Sequence, residues 1–199
     1  MEKKYKLTEE SICFDGTTLY RIEAIRDFGH VSKGEKGGFV ETERNLSHVG
    51  DAWVYGDAKV CGDAKVYGDA EVCGNAWVCG DAKVYGTAWV CGDAKVYGTA
   101  WVCGNAEVYG NAEVCGNAEV YGDAKVYCNA DYIVFKNWWS SGRYFTWTRS
   151  NNMWSVGCFL GTGKELIKKA YKDSDNSGRE YERVVKYVES ILADEKEDK

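Results

Sequence analysis

Histidine, long apolar runs and an apolar N-terminus are scarce or missing in this 199-residue chain. Only His30 and His48 occur, and no C-x-x-C pair is present, so a zinc site is not expected. No apolar run approaches the ~18 residues that a transmembrane helix needs. The first residues, Met-Glu-Lys-Lys-Tyr-Lys, lack the hydrophobic stretch of a signal peptide. The sequence therefore predicts a cytoplasmic protein without a metal, cofactor or membrane span.

Cysteine, in contrast, is plentiful, with nine residues. Six of them recur at one repeat position that tyrosine fills elsewhere: Cys61, Cys73, Cys79, Cys91, Cys103 and Cys115. A position that accepts either Cys or Tyr requires a surface side chain rather than a disulfide partner. With a cytoplasmic location, we expect free thiols.

A six-residue repeat fills the middle of the chain, residues 50–133. Its unit is Gly-[Asp/Asn/Thr]-Ala-x-Val-[Tyr/Cys], with thirteen good copies through Tyr127 and a degenerate copy at 128–133. Ala-x-Val-[Tyr/Cys] predicts a short strand, and Gly-Asp or Gly-Asn predicts a turn. Charged residues such as Lys59 and Glu71 occupy the x position and cannot lie unpaired in a core. We therefore expect Ala and Val to face inward, and x and Tyr/Cys to face outward.

The pattern resembles the left-handed parallel β-helix of hexapeptide-repeat proteins, in which an aliphatic residue is followed four places later by a small one. Val54 with Ala58 and Val60 with Ala64 fit this rule. The resemblance implies triangular coils of three hexads, about 4.7 coils in all. It is specific for the fold and not for function.

The layout is also similar to hexapeptide-repeat proteins encoded by phages and prophages. The matching features are the opening Tyr-Lys-Leu-Thr-Glu, the segments 37–41 and 157–162, and the repeats between them. This resemblance implies a protein of phage type and carries no activity with it.

Two flanking segments cover the open ends of the repeats. Residues 1–49 are expected to form an N-terminal cap with a β-hairpin about Asp15-Gly16. Residues 134–199 are expected to form a small ββαα module, in which residues 143–148 and 153–159 make a hairpin. Capping boxes at Thr162 and Ser177 predict the starts of its two helices, and residues 194–199 are expected to fray.

Acyltransferases are the largest class with this helix, and they use a histidine base near a loop that interrupts the coils. Residues 50–133 contain neither feature, and His48 is better interpreted as a capping or surface residue. A γ-class carbonic anhydrase needs three histidine ligands, and ice binding needs rows of threonine. A degenerate acyl-coenzyme A-dependent acyltransferase and a structural spacer remain as alternative functions.

Tryptophans at the outward x position suggest a surface for a partner or for self-association: Trp53, Trp77, Trp89 and Trp101. Such apolar rows would be wet in a monomer, which favours a homo-oligomer, with a trimer preferred. The alternative is ordinary filling of a β-surface.

A second candidate site is the start of the C-terminal module, with Trp138, Trp139, Arg143, Trp147 and Arg149. Arginine beside aromatic rings can stack a base and hold a phosphate. The repeats carry a net charge of −7, whereas residues 134–199 sum to +2, so an anion is expected at this module. The alternative is that Phe145 and Trp147 pack on the helices while the arginines lie at the rim.

These observations predict a non-catalytic binding or scaffold protein of phage type. It would act in the host cytoplasm by capturing a host protein or a small anionic immune signal, as an anti-defence protein. The acidic repeats argue against nucleic-acid binding through phosphate contacts.

Overall fold

The structure is a computed structural model that describes residues 2–197. Its N-terminal segment forms three strands, β1 (Tyr5–Phe14), β2 (Thr17–Ala24) and β3 (Lys36–Val40). β1 and β2 form the predicted hairpin, with Asp15 and Gly16 at φ of 47° and 77° in the turn. β2 also pairs with β3, and β3 runs parallel to the second strand of the repeats. The cap is therefore continuous with one sheet of the repeat region.

Each of the thirteen good hexads contributes a two-residue strand made of its x residue and valine. The strands are β4 (Trp53–Val54), β5 (Lys59–Val60), β6 (Lys65–Val66), β7 (Glu71–Val72), β8 (Trp77–Val78), β9 (Lys83–Val84), β10 (Trp89–Val90), β11 (Lys95–Val96), β12 (Trp101–Val102), β13 (Glu107–Val108), β14 (Glu113–Val114), β15 (Glu119–Val120) and β16 (Lys125–Val126). Every third strand stacks in parallel and in register, which makes three sheets. The predicted parallel stacking is confirmed: the chain is a β-solenoid of about five turns.

The interior of the solenoid is made of alanine and valine, as the repeat predicts. Every alanine and valine at these two positions between Ala52 and Val126 is at most 1% exposed. The cysteines on the outer rows are unpaired, as are the other three in the chain. The inward assignment of the hexad is thus confirmed, and the outward residues are partly or fully exposed apart from Trp53 and Cys103, which are buried.

Gly86 illustrates two reasons that favour glycine at the corners. Its φ is +74°, a conformation that side chains rarely adopt. A Cβ at this position would also lie 3.0 Å from the backbone nitrogen of Gly104 in the next coil. A larger residue at this corner would therefore adopt a strained conformation and push against the backbone of the next coil.

The solenoid begins earlier and ends earlier than the repeat predicts. Phe39 pairs in parallel with Lys59, and Leu46 forms a parallel bridge with Val66, so the first turn lies before residue 50. This turn lacks the hexad motif. Its residues pair with residues 20 positions later, whereas later residues pair with residues 18 positions away.

Residues 128–133 are not a further hexad: Asn129–Asp131 form a 3-10 turn. The Asp131 carboxylate accepts hydrogen bonds from the backbone N–H groups of residues 127 and 128, which turns the chain out of the coil.

The C-terminal module contains four antiparallel strands rather than the predicted two. β17 (Tyr132–Lys136), β18 (Tyr144–Thr148), β19 (Met153–Val156) and β20 (Phe159–Gly161) pair in sequence order. Gly157, at φ +58°, splits the predicted second strand into β19 and β20. Helices α1 (Gly163–Asp173) and α2 (Asp175–Glu197) pack on this sheet around a second apolar core.

The start of α1 matches the prediction, whereas the start of α2 does not. The capping box of Thr162 and Glu165 starts α1 as expected. α2 begins at Asp175, before the expected Ser177, because the Ser174 hydroxyl already accepts a hydrogen bond from the Ser177 N–H. Residues 194–197, expected to fray, continue α2, whereas 198 and 199 lie outside the described residues. Within the described chain, neither helix has the length and apolar character needed to cross a bilayer.

The first coil of hexads leaves several backbone carbonyls without partners in a regular coil, because most N–H groups that bond between coils donate to the coil that follows. Val66, which donates to the carbonyl of Asn45 in the preceding turn, is an exception. The N-terminal cap supplies donors to these unpartnered carbonyls. The Lys4 ammonium donates to the carbonyls of residues 50 and 52 at 3.0 and 2.7 Å. The Asn45 amide donates to those of residues 62 and 64 at 2.9 Å each, and Arg21 donates to that of residue 56 at 3.1 Å. We call this the carbonyl end.

The last coil has the opposite deficit, since its N–H groups have no further coil to bind. On each of the three sheets, a side chain of the C-terminal segment accepts a hydrogen bond from one of these N–H groups. Asn129 accepts from the Glu113 N–H at 2.8 Å, and Thr146 accepts from the Glu119 N–H at 2.9 Å. The Ser150 hydroxyl accepts from the N–H of residue 125 at 2.6 Å. We call this the amide end.

Candidate functional site

Two of the residues predicted to bind a ligand, Trp147 and Arg149, form hydrogen bonds or ion pairs with other residues of the chain. Trp147 is 1% exposed, and its indole N–H donates to the Asn152 side chain at 2.8 Å. Arg149 pairs with the carboxylate of Glu195 and donates to the carbonyl of residue 130. The Trp147 ring is buried beneath the helices with Phe145 and presents no exposed face on which a base could stack.

The other predicted tryptophans do not form a platform either. Trp138 is 75% exposed, whereas Trp139 is partly buried with its ring edge-on to Tyr181 and Phe145. The two indoles meet edge to face at 5.9 Å. Of the five predicted ligand-binding residues, only Arg143 lies at a cavity of the module.

This cavity, about 370 Å³ in volume, lies between the β17–β18 loop, the β19–β20 turn and the two helices. We call it the C-terminal cavity. Apolar residues line part of it, namely Val156, Phe159, Leu166 and Ala170. Polar and charged residues line the rest: Asn137, Ser140, Ser141, Arg143, Cys158, Lys169, Asp173, Ser177 and Tyr181. Small-molecule sites are typically largely apolar with a few polar groups, whereas the lining of this cavity contains more polar than apolar residues.

Asn137 is the most constrained polar residue in the C-terminal cavity. Its backbone N–H donates to the carbonyl of Arg143 and its carbonyl accepts from Gly142, each at 2.8 Å, which closes the loop. Its side-chain amide donates to the Tyr181 hydroxyl at 3.0 Å. The residue is only 4% exposed, yet its side-chain oxygen accepts no hydrogen bond within the described chain. A buried polar atom of this kind is rare in folded proteins.

Two cations line the C-terminal cavity without a carboxylate partner among residues 2–197. Neither Arg143 nor Lys169 forms an ion pair or a side-chain hydrogen bond there. The Lys169 ammonium lies 5.2 Å from the centre of the Phe159 ring. Asp173 is the one acidic residue in the lining, which leaves an excess of positive charge.

Tyr181 is a neutral hydroxyl in this environment. Burial raises its pKa, and the Asn137 hydrogen bond lowers it by less. The charges of Asp173 and Arg143 act on it in opposite directions, Asp173 raising the pKa and Arg143 lowering it. The hydroxyl can therefore donate to a ligand while it accepts from Asn137.

The four solenoid tryptophans lie on three different sheets and form no single surface. Trp53 is fully buried because Tyr5 and Phe28 of the cap cover its ring. The centres of their rings lie 6.0 and 5.3 Å from the centre of the Trp53 ring. The cap therefore keeps Trp53 away from the exposed surface of the solenoid. Trp77 is partly covered by Phe14, and Trp101 is edge-on to Tyr85.

Trp89 alone stays well exposed, at 47%, with its indole N–H donating to the Glu71 carboxylate at 2.7 Å. Tyr127, at 49% exposure, follows β16 of the same sheet. Exposed aromatic area on the solenoid is thus concentrated on the sheet of β4, β7, β10, β13 and β16.

Sequence reasoning found Arg143 but missed Asn137 and Lys169. Asn137 lies in a loop with no motif, and Lys169 is one of several lysines along α1. The signals that pointed to this module were its arginines beside aromatic residues and the net charge of +2 in residues 134–199.

No protein-family model matches the chain, and no curated protein matches it. Within residues 2–197, no three His, Cys, Asp or Glu side chains converge where they could hold a metal ion.

Proposed function

We propose that the protein is a non-catalytic binding protein in which the solenoid is a rigid support and the C-terminal cavity binds a small molecule. The observation that carries this proposal is the C-terminal cavity itself, about 370 Å³ in volume, in which the apolar side chains of Val156, Phe159 and Leu166 lie beside a set of polar groups. Two unpaired cations beside it add affinity for a charged group.

The biological role we propose is that of a phage-type protein in the cytoplasm of the bacterial host. The resemblance of the repeats and flanking segments to phage and prophage proteins supports this role. Binding of a small signal molecule, or of a host protein, would then counter a host defence.

We also propose that the solenoid is left-handed and triangular in section. The aliphatic-to-small spacing of the repeat supports the hand, and the arrangement in three sheets supports the section. A crystal structure with a right-handed coil would contradict it.

For the assembly we propose a homotrimer packed through the sheet that carries Trp89 and Tyr127. Light scattering should then give about three times the 22.2 kDa of one chain. Trp89→Glu should lower the mass, whereas Trp138→Glu, at an exposed tryptophan of the C-terminal module, should not. A mass of one chain for the unaltered protein would contradict this assembly.

Native mass spectrometry of protein purified from infected bacteria tests the binding function. We expect a bound small molecule, and we expect Ser140→Trp, which blocks the rim of the cavity, to remove it. Glu189→Trp on the exposed face of α2 is the matched control and should retain it. Absence of any bound molecule, or equal retention in Ser140→Trp, would contradict the proposal.

A further inference from the structure

A second cavity, about 370 Å³ in volume, lies where strands β19 and β20 of the C-terminal module meet the solenoid. We call it the junction cavity. Its walls are mainly apolar and are formed by Trp101 and Tyr121 of the solenoid and by Phe159 and Leu160 of the module. Glu119 of β15 is the one charged residue in the lining. An apolar cavity with a single charged group is typical of a site for a small molecule.

Glu119 differs from the other three glutamates at the x position of the hexads. Glu107 and Glu113 each pair with a lysine of an adjacent coil, and Glu71 accepts a hydrogen bond from an indole N–H. The Glu119 carboxylate has no such partner within residues 2–197. Its one hydrogen bond there comes from the Ser155 hydroxyl, which donates to Oε2 at 2.9 Å.

The second carboxylate oxygen of Glu119 is within reach of a ligand in the junction cavity. It accepts no hydrogen bond within the described chain, and it retains surface that is accessible to solvent. Lys83 lies on the far side of Trp101 in the same sheet, where its ammonium is 4.6 Å from the centre of the Trp101 ring. Lys83 therefore does not pair with Glu119.

The surroundings of Glu119 also disfavour its charge. Burial raises the pKa of Glu119, and the hydrogen bond from Ser155 lowers it by less. A cation carried in by a ligand would stabilise the ionised carboxylate, because an opposite charge at short distance offsets the cost of burial.

From this arrangement we infer that the junction cavity binds a small organic cation, namely a primary ammonium group attached to an apolar ring or chain. The ammonium donates to the free oxygen of Glu119, and the apolar part packs against Phe159 and Leu160. The rings of Trp101 and Tyr121 add to this preference, since the face of an aromatic ring attracts a cation. This site is additional to the C-terminal cavity and does not depend on it.

Amide NMR spectra of the full chain report binding at the junction cavity through the N–H groups of Tyr121 and Leu160. At about pH 8 a carboxyl group is ionised and an alkylammonium group is protonated. Benzylammonium carries both the charge and the ring, benzyl alcohol has a similar size without the charge, and methylammonium lacks the ring. We expect benzylammonium to bind about tenfold or more tightly than either of the other two probes.

Matched variants show whether the binding uses Glu119. Glu119→Gln removes the charge and keeps an oxygen that can accept from Ser155. It should weaken benzylammonium by about tenfold or more and leave benzyl alcohol unchanged. Glu113→Gln removes the same charge one hexad earlier, outside the cavity, and should weaken neither probe. Ser140→Trp, which blocks the C-terminal cavity, should also leave benzylammonium binding intact.

Equal affinity for benzylammonium and benzyl alcohol would overturn the inference, as would an equal loss in Glu113→Gln and Glu119→Gln. No shift of either amide signal with roughly 10 mM benzylammonium would also overturn it. Binding that is lost in Ser140→Trp would place the cation in the C-terminal cavity instead and would contradict the assignment. The native mass spectrum decides the proposed binding function separately.

Discussion

The carbonyl end and the amide end of the solenoid present mainly opposite backbone groups, and the chain covers them mainly with opposite side-chain chemistry. Two contacts depart from this pattern: Glu41 accepts from the Gly62 N–H at the carbonyl end, and the Tyr132 hydroxyl donates to the Glu113 carbonyl at the amide end. Lys4, Arg21 and Asn45 donate at the carbonyl end, whereas Asn129 and Thr146 accept at the amide end. The direction of the chain dictates this difference, because most N–H groups that bond between coils donate to the next coil. A solenoid end is therefore an unfinished sheet edge whose missing partner has a definite polarity.

The two ends also differ in what else they carry. The N-terminal cap shares the core of the solenoid, with Tyr5, Ile22 and Leu46 packed into it. The C-terminal module has its own core around Phe145 and Trp154. The C-terminal cavity lies in the module that has its own core.

The largest effect is expected in the middle of the solenoid, where neither end contributes. Val84→Asp would place a carboxylate without a partner in the interior, and should destabilise the fold by about 4–5 kcal/mol or more. Lys65→Asp, at an exposed position of the same sheet, should cost less than about 0.5 kcal/mol. Denaturant unfolding measures both, and an unchanged melting temperature for Val84→Asp would contradict the inward assignment.

One substitution made at both ends tests the polarity directly. Asn45→Asp replaces the amide that donates to two carbonyls with an acceptor, and Asn45 is 1% exposed. We expect a loss of about 3 kcal/mol or more in the free energy of unfolding. Asn129→Asp keeps the oxygen that accepts from Glu113, and should cost under about 0.5 kcal/mol. Equal losses at the two positions would refute the opposite capping of the ends.

A smaller effect is expected from Thr146, which is fully buried at the amide end. Thr146→Val keeps the shape but leaves the N–H of Glu119 without an acceptor, at a cost of about 1–3 kcal/mol. Thr146→Ser retains the hydroxyl and should recover part of this loss. Thermal unfolding compares the two variants, and a Val variant as stable as the Ser variant would show that the hydrogen bond does not matter.

The smallest effect is a pH dependence confined to the carbonyl end. Burial lowers the pKa of Lys4 from 10.5 to about 8; Asp51 and Asp69 oppose this shift, and Arg26 adds to it. The folded state thus releases the proton before the unfolded state does. The cost of burying the charge is present below pH 8 and disappears as the pH rises toward 10.5.

The stability of the unaltered protein relative to Lys4→Met should therefore increase by about 1 kcal/mol between about pH 8 and about pH 9. The difference between the two proteins cancels other groups that titrate in this range, and a reducing agent keeps the thiols free. Thr146→Val at the amide end should show no such trend relative to the unaltered protein. A difference that is flat or falls with pH would contradict the proposed burial of a charged Lys4.

The amino-acid sequence by itself determined the body of the solenoid. Each hexad has the same neighbours above and below it, so the alternation of Ala, x, Val and Tyr or Cys settles the inward and outward faces. Glycine at the corners follows from the same repetition, because a corner such as Gly86 meets an identical corner in the next coil. The local pattern is enough to predict the structure there, because each hexad has the same surroundings as the hexad in the coil before it.

Tertiary structure alone decided the ends, the exposed aromatic surface and the C-terminal cavity. Trp53 and Trp89 occupy the same hexad position, yet the cap buries one and leaves the other exposed. The Asn45 side chain donates hydrogen bonds to the carbonyls of residues 62 and 64. The Asn137 side chain donates to the hydroxyl of Tyr181, which is 44 positions away in the chain. No repeat or spacing encodes such contacts, because they depend on how distant segments pack. The polarity of a sheet edge and the missing partner of a buried oxygen are visible only once that packing is known.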